Sequence, residues 1–357
     1  MSFESVLTAH GSTVERWESE IMYEWLRQSF WSRFMGDSEN AVVQLKADLT
    51  KNAGDALTIQ IASEVQGGVV TGSTKVQGNE GRMDFYPQRV VVDNDNVSVR
   101  MDNIPMQQQR VSFDVLRAAR TALSRKRRIR TDDRITTAVS TTSTGRVRGR
   151  YLYGAADSNW NATHATALTN VDNTADQLTL AMIDIAKRKA QIPLNATAKI
   201  RPMMSVENDA GKGFQEWFIF AAHPLAIRDL TQNDAKWTQP QLLLPPTANP
   251  SSPLYTGSSF KGGYNGVLIY EWEGMELVSS TIQCAHNLLC GAQAVALTWA
   301  QYSKFKEQDY NYGEDMGYKL HEINGVDKLL FDRNSVDSTI SNEDNGLIHV
   351  FSAAVAD

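Results

Sequence analysis

Residues suited to chemistry are few and scattered in this 357-residue chain. Cys284-Ala285-His286 with Cys290 is the one gathering of thiols and an imidazole, and a metal or cysteine nucleophile there would need partners from elsewhere. The six histidines, His10, His164, His223, His286, His321 and His349, form no H-E-x-x-H pair. No G-x-x-x-x-G-K-S/T phosphate loop occurs, and Gly262, Gly263 and Gly266 lack the spacing of a dinucleotide loop. Ser258 and Ser259 sit in no nucleophile elbow, and Asp93 and Asp95 lack the glycine and distal glutamate of a calcium loop. Glu314-Asp315 is an acidic pair of the kind that solvent ordinarily covers. The chain therefore reads as a non-enzyme, with no catalytic, cofactor-binding or metal-binding set.

The concentrated signal is charge. Between Arg117 and Arg150 lie eleven basic residues, among them Arg125, Lys126, Arg127, Arg128 and Arg130, against only Asp132 and Asp133. The local net is +9, and since the whole chain carries −6, the remainder carries −15. Such a segment suits phosphates without reading sequence, or carboxylates of a neighbouring subunit, or a solvated helix face. No aromatic residues interleave before Tyr151, so base stacking is not implied.

The elements that must hold these residues follow from periodicity. Residues 13–35 read as a helix with two apolar rows, one with Trp17, Ile21 and Trp25, the other with Met22, Leu26, Phe30 and Phe34. Two rows serve either a buried helix or an arm that docks on another subunit. Residues 56–102 alternate with period two through Leu57, Ile59, Ile61, Val90, Val97, Val99 and Met101. A glycine-rich stretch from Gly67 to Gly81 interrupts them, giving a long hairpin with too little apolar content for its own core. Residues 112–140 return to a helical pattern capped by Ser112, with Phe113, Leu116, Leu123, Ile129, Ile135 and Val139 on its apolar side. A helix over 176–190 follows, then strands at Trp217–Phe220, Val267–Tyr270, 318–331 and 346–355; Leu288–Trp299 fits helix or strand, and the proline-rich 240–253 reads as a loop. Helices and strands are segregated, which is α+β.

Length predicts two or three lobes. With 42% apolar and 21% charged residues, composition excludes wholesale disorder and fibrous repeats. Two cysteines exclude a disulfide scaffold. No secretory signal and no run of roughly 20 apolar residues is expected, so no membrane is implied.

The order of segments resembles the major capsid proteins of tailed double-stranded-DNA phages, in particular the N4-like podophage family. The resemblance is carried by Phe34-Met35-Gly36, Glu39 to Gln44, Asp48 to Asp55, Gly67 to Gly72, Gln77 to Glu80, Arg110 to Asp114, His223-Pro224, Gly263 to Val267, Gly291 to Ala294 and Asn324 to Lys328. It implies the Hong Kong 97-type fold: an N-terminal arm over 1–50 and an extended hairpin, the E-loop, over 51–105. The peripheral domain would take 106–175 and 291–357, with a spine helix near 112–140, and the axial domain 176–290. It implies hexamers and pentamers of one chain forming an icosahedral virion capsid around the genome, assembled in the host cytoplasm. Scaffold, portal and decoration proteins would be further partners, and packaged DNA a non-specific one. Trp17, Trp25, Phe30, Phe34, Lys75 and Phe85 are the expected subunit-interface residues. Arg125, Lys126, Arg127, Arg128 and Arg130 are expected at the lumen or a subunit seam. Lys75 is in principle a donor for a covalent cross-link, with a solvated lysine the expected reading. The alternative is a cytoplasmic nucleic-acid-binding protein acting through 117–150.

Overall fold

The computed structural model describes residues 29–50, 54–62, 65, 68–81, 83, 85–110, 115–143, 146–192, 198–205, 215–234, 237, 259–331 and 343–354. Two sheets organise them. One runs in the order Tyr151–Tyr153, Leu347–Ala353, Gln283–Cys290, Gln215–Ala222, Val267–Glu271, Phe260–Tyr264, with Leu277–Ser279 and Met203–Ser205 attached. Its central strands are continuous apolar runs because both faces are covered. On one face, Phe218, Phe220, Val267, Ile269, Leu289 and Val350 meet the helices Leu180–Gln191 and Pro224–Asn233. On the other, Ile219, Leu268, Tyr270 and Leu288 join a core with Phe30, Trp31, Phe34, Ile135, Val139 and Val295. Asn265 and Gly266, at φ of 46° and 72°, make the two-residue turn joining Phe260–Tyr264 to Val267–Glu271.

The second sheet has the order Met35–Gly36, Val43–Lys46, Val295–Tyr310, Asp315–Lys328, Asp93–Met101. The long helix Val115–Ser140 lies along it through Leu116, Ala119 and Leu123, against Val97, Phe305, Tyr318 and Leu320. A separate ribbon pairs Ala56–Ala62 with Phe85–Val91 and seats Ile59, Ile61, Tyr86 and Val90 on Ala296 and Leu329 of the body.

The topology moves several expected boundaries. Asp93–Met101 pairs with Asp315–Lys328, so the free-standing hairpin stops at Val91 rather than running to 105. Tyr151–Tyr153 and Leu347–Ala353 lie in the sheet of Gln283–Cys290, not with the peripheral elements that 106–175 and 291–357 would group. Met35–Gly36 and Val43–Lys46, assigned to the arm, are strands of the second sheet. Leu288–Trp299 resolves into two strands around a turn at Gly291–Ala294, with Gln293 at φ 54°. Of the helix expected over 13–35, residues 13–28 lie outside the described residues, and Trp31–Phe34 form one 3-10 turn running straight into a strand at Met35. Ser112 and Phe113 also lie outside them, as does 240–253. Ile129 is on the solvent side of the long helix, 49% exposed, because the apolar stripe has rotated past it.

The ribbon leaves the body where Gly325 lets backbones cross: a Cβ there would stand 2.3 Å from Val91 O and 3.0 Å from Thr298 Oγ1. Gly325→Ala is therefore expected to cost about 1–3 kcal/mol. It would be read as a lower urea midpoint with an unchanged slope, and an unchanged midpoint would show that the strands part freely at this crossing.

Candidate interaction surfaces

The basic segment does not present one uniform face. Ala119, Leu123, Arg127, Thr131, Ile135 and Val139 recur every four residues and are all buried. Arg127 thus points inward, 1% exposed. Its guanidinium pairs with Glu322 of the strand Asp315–Lys328 and lies 3.5 Å from Asp95 of the strand Asp93–Met101. Glu322 also accepts from Ser303 Oγ at 2.6 Å and from Asn324. Asp95 collects Arg130 Nε at 3.4 Å and Arg134 Nη1 at 3.2 Å. Burial pulls the Arg127 guanidinium down to about 10, against the pull of Asp95, so it stays charged at neutral pH. The expectation that Arg127 faces the lumen or a seam is corrected: it is a core ion pair of its own chain. Arg128 is half-buried, Arg130 is tied to Asp95, and Arg125 and Lys126 are exposed. This removes much of the open cationic face that a nucleic-acid-binding protein working through 117–150 would need.

The arm aromatics are corrected in the same way. Phe30 stacks on Trp272 with ring centres 4.5 Å apart, and Phe34 meets Tyr270 edge-on at 5.1 Å. Trp31 Nε1 donates to Thr136 Oγ1 at 3.1 Å, and Asp132 takes the Ser29 hydroxyl and the Phe30 N–H at 3.2 Å. Burial pushes the Asp132 carboxyl up, and these donors oppose that shift. Phe30 and Phe34 therefore build their own subunit's core. Trp17 and Trp25 lie outside the described residues.

The outer ribbon is different. Beyond the part seated on the body, Val65, Val69, Val76, Met83 and Phe85 are 63%, 88%, 59%, 43% and 58% exposed. Lys75 is exposed among them, its carbonyl accepting from Asn79 Nδ2 at 3.0 Å. Four of these exposed apolar side chains lie between the two strands, after Ala62 and before Phe85, and Phe85 opens the second strand; together they form the kind of exposed apolar patch that interaction surfaces carry.

Cys284 and Cys290 are both buried, and burial pushes their thiols up to about 11 and about 12, which makes them poor nucleophiles and ligands. Among the described residues no group of three or more His, Cys, Asp or Glu side chains is arranged to hold a metal ion. His286 instead belongs to a buried chain: its Nε2 is 2.8 Å from His349 Nδ1, and His349 Nε2 is 3.3 Å from Asp344. Asp344 also takes Lys328 and Ser143 at 2.8 Å and the Tyr151 hydroxyl at 3.2 Å. Burial opposes the Asp344 charge, yet the contacts with His349 and Lys328 hold its carboxyl well below the usual range. Neither Asp95 and Glu322 nor this buried chain was signalled by the sequence, since their partners come from distant strands.

Breaking the Arg127 pair leaves Glu322 buried and uncompensated, so Arg127→Ala is expected to cost about 3–5 kcal/mol. Arg125→Ala and Lys126→Ala, at the surface, should stay within about 0.5 kcal/mol. Urea unfolding of the three variants checks the contrast. For the histidines, burial holds both His286 and His349 below their ordinary value. The unfolded chain binds protons at these positions more readily than the fold does, so stability falls as pH drops through about 6.5 and below, by at most about 1.4 kcal/mol per pH unit for each ring that stays neutral. Unfolding free energies measured from pH 7.5 to 5 should show this decline, and a flat profile would contradict it.

The comparisons with known proteins meet this geometry. A family model described as phage capsid protein matches residues 6–356. No curated protein matches the chain. Among solved structures the chain is similar to one from the cyanophage Pam1 capsid asymmetric unit, with TM-score 0.73 and 26% identity over 93% of this chain and 94% of that one. It is also similar in fold to a chain of the Ralstonia phage GP4 capsid, with TM-score 0.72 and 20% identity over 92% of each. The head of Helicobacter pylori bacteriophage KHP40 gives a TM-score of 0.67 at 15% identity, over 92% of this chain and 91% of that one. The α+β architecture is the Hong Kong 97-type capsid fold. With nearly its whole length matched, the chain belongs to the phage capsid protein family.

Proposed function

We propose that the chain self-assembles as hexamers and pentamers into the icosahedral head that encloses a double-stranded-DNA genome. Membership of the capsid family makes it the major capsid protein, a structural subunit of the head. The observation that carries the finer reading is the outer ribbon, whose apolar side chains Val65, Val69, Val76, Met83 and Phe85 are exposed. Burying Phe85 or Val69 on a neighbour would contribute about 1.5–3 kcal/mol for each side chain, repeated at every copy. Arg125, Lys126 and the exposed part of Arg130 face packaged DNA or a subunit seam, where they act without reading sequence. The order of motifs from Phe34 to Lys328 supports an N4-like podophage origin. Scaffold, portal and decoration proteins are the expected further partners, assembly takes place in the host cytoplasm, and the subunit does no catalysis. Lys75 is read as a solvated lysine, so boiling in SDS should leave a single monomer band.

Negative-stain microscopy with light scattering on the purified chain tests the reading. Closed shells, tubes or six-fold rings are expected, alone or with the neighbouring phage gene products. A chain that stays a monomer in both settings overturns it. The paired change Val69→Asp and Phe85→Asp should leave the subunit's melting temperature unchanged and abolish these assemblies; normal shells would show that the ribbon does not dock.

A further inference from the structure

The second sheet and the long helix form a two-layer slab. The helix side buries Val97, Phe305, Tyr318 and Leu320. The opposite face of the same strands carries Lys304, Lys306 and Lys319, all exposed, with His321 beside them. Register sets Lys306 directly across from Lys319, and Lys304 across from His321. The flanking strand adds only Ser98 and Asn96 to these rows, and His321 Nδ1 meets Asn96 Oδ1 at 2.9 Å. Like charges directly opposite one another weaken a strand pair. Burial, then the field of Lys319, Lys306 and Lys304, holds His321 below its ordinary value.

The far end of the same strand pair has the opposite character. It turns through Asn311, Tyr312 and Gly313, at φ of 51°, 56° and 90°. Left-handed backbone is unfavourable for any residue but glycine, and most of all for a bulky one. Tyr312 nevertheless adopts it with its side chain fully exposed, so the conformation serves no packing within the subunit. Asp309 and Glu314 flank it at the surface. Arg100, the nearby cation, is engaged by Asp102 and Asp315 at 2.8 Å each. A tip that is acidic and aromatic thus ends a sheet whose open face is cationic.

We propose that this tip in one copy seats on the lysine-bearing face of the sheet in a neighbouring copy, with Tyr312 against the lysines and Asp309 and Glu314 pairing with Lys304, Lys306 and Lys319. The occupant is a second copy because tip and face are complementary and belong to one chain, so the contact is head-to-tail and repeats around a rotation axis. An ammonium over a tyrosine ring adds a cation–π attraction. Packaged DNA fits this face less well: the helix side of the slab also carries exposed cations, and the two sides of one slab cannot both face the interior. The proposal rests on the shell-forming reading above and adds which surfaces meet.

Four variants test it by critical concentration for assembly, beside the melting temperature of the unassembled subunit. K304E/K306E/K319E is expected to raise the critical concentration about tenfold or more without lowering the melting temperature. D309K/E314K should show the same defect, and all five changes together should restore assembly. Tyr312→Gly relieves the left-handed backbone, so it should weaken assembly while the subunit melts no lower than wild type. Wild-type yields of shells from either reversed variant, or a failed rescue, would overturn the proposal. So would full shell yields from the lysine variant with less packaged DNA, which would turn the lysines toward the genome. If wild-type chain never assembles, the shell-forming reading falls first and takes this contact with it.

Discussion

The placement of the long helix rests on one buried charge. Arg127 reaches from the helix into the sheet and meets Glu322 and Asp95, carried by two adjacent strands. A buried Glu322 beside a largely covered Asp95 would be costly unless a cation met them, and a buried guanidinium on a helix would be equally costly without them. Each element therefore depends on the other, and the contact fixes the rotation of the helix about its axis. That rotation buries Leu123 and Ile135, turns Arg125, Lys126 and Ile129 to solvent, and leaves the far face of the strands open.

The same logic of mutual cover runs through the core. The first sheet has no solvent side. Two helices close one face, and the short turn Trp31–Phe34 with the end of the long helix closes the other. Aromatic residues fill this junction, where Phe30 stacks on Trp272 and Phe34 meets Tyr270 edge-on. Asp132 and Thr136 supply the polar contacts that pin the chain there. The two sheets consequently share one core, and what is left over at the surface is one ribbon and one long strand pair, both extending past it.

Much of this was legible in the sequence. Strands at Val267–Tyr270 and Trp217–Phe220 follow from unbroken apolar runs, and the hairpin from alternation around Ile59, Ile61 and Val90. Burial on both faces erased the period-two signal over Leu288–Trp299, so helix and strand could not be told apart there. Arg127 was misread as surface because its type outweighed its position: the four-residue row from Ala119 to Val139 runs straight through it. Its partners were not legible, since Asp95 and Glu322 lie 32 and 195 residues away in sequence and meet it only by register. Phe30 and Phe34 carried the right chemistry and the wrong owner; periodicity says that a ring is buried, not in whose core. The pairing of Leu347–Ala353 with Gln283–Cys290 was hidden for a related reason, because sequence distance gives no sign of that return.

Among the described residues the ribbon of Ala56–Ala62 and Phe85–Val91 has two strands, so each has an outer edge with no further described strand of its sheet beside it. Open edges flanked by exposed apolar side chains pair readily with any extended chain they meet. Under the docking proposed for this ribbon, a freshly made subunit is in a race: docking on a sister copy hides this surface, and indiscriminate strand pairing consumes it. The outcome depends on how fast subunits appear relative to how fast they are taken up. Supply rate and stoichiometry thus become conditions on the yield of usable protein as strict as the sequence itself.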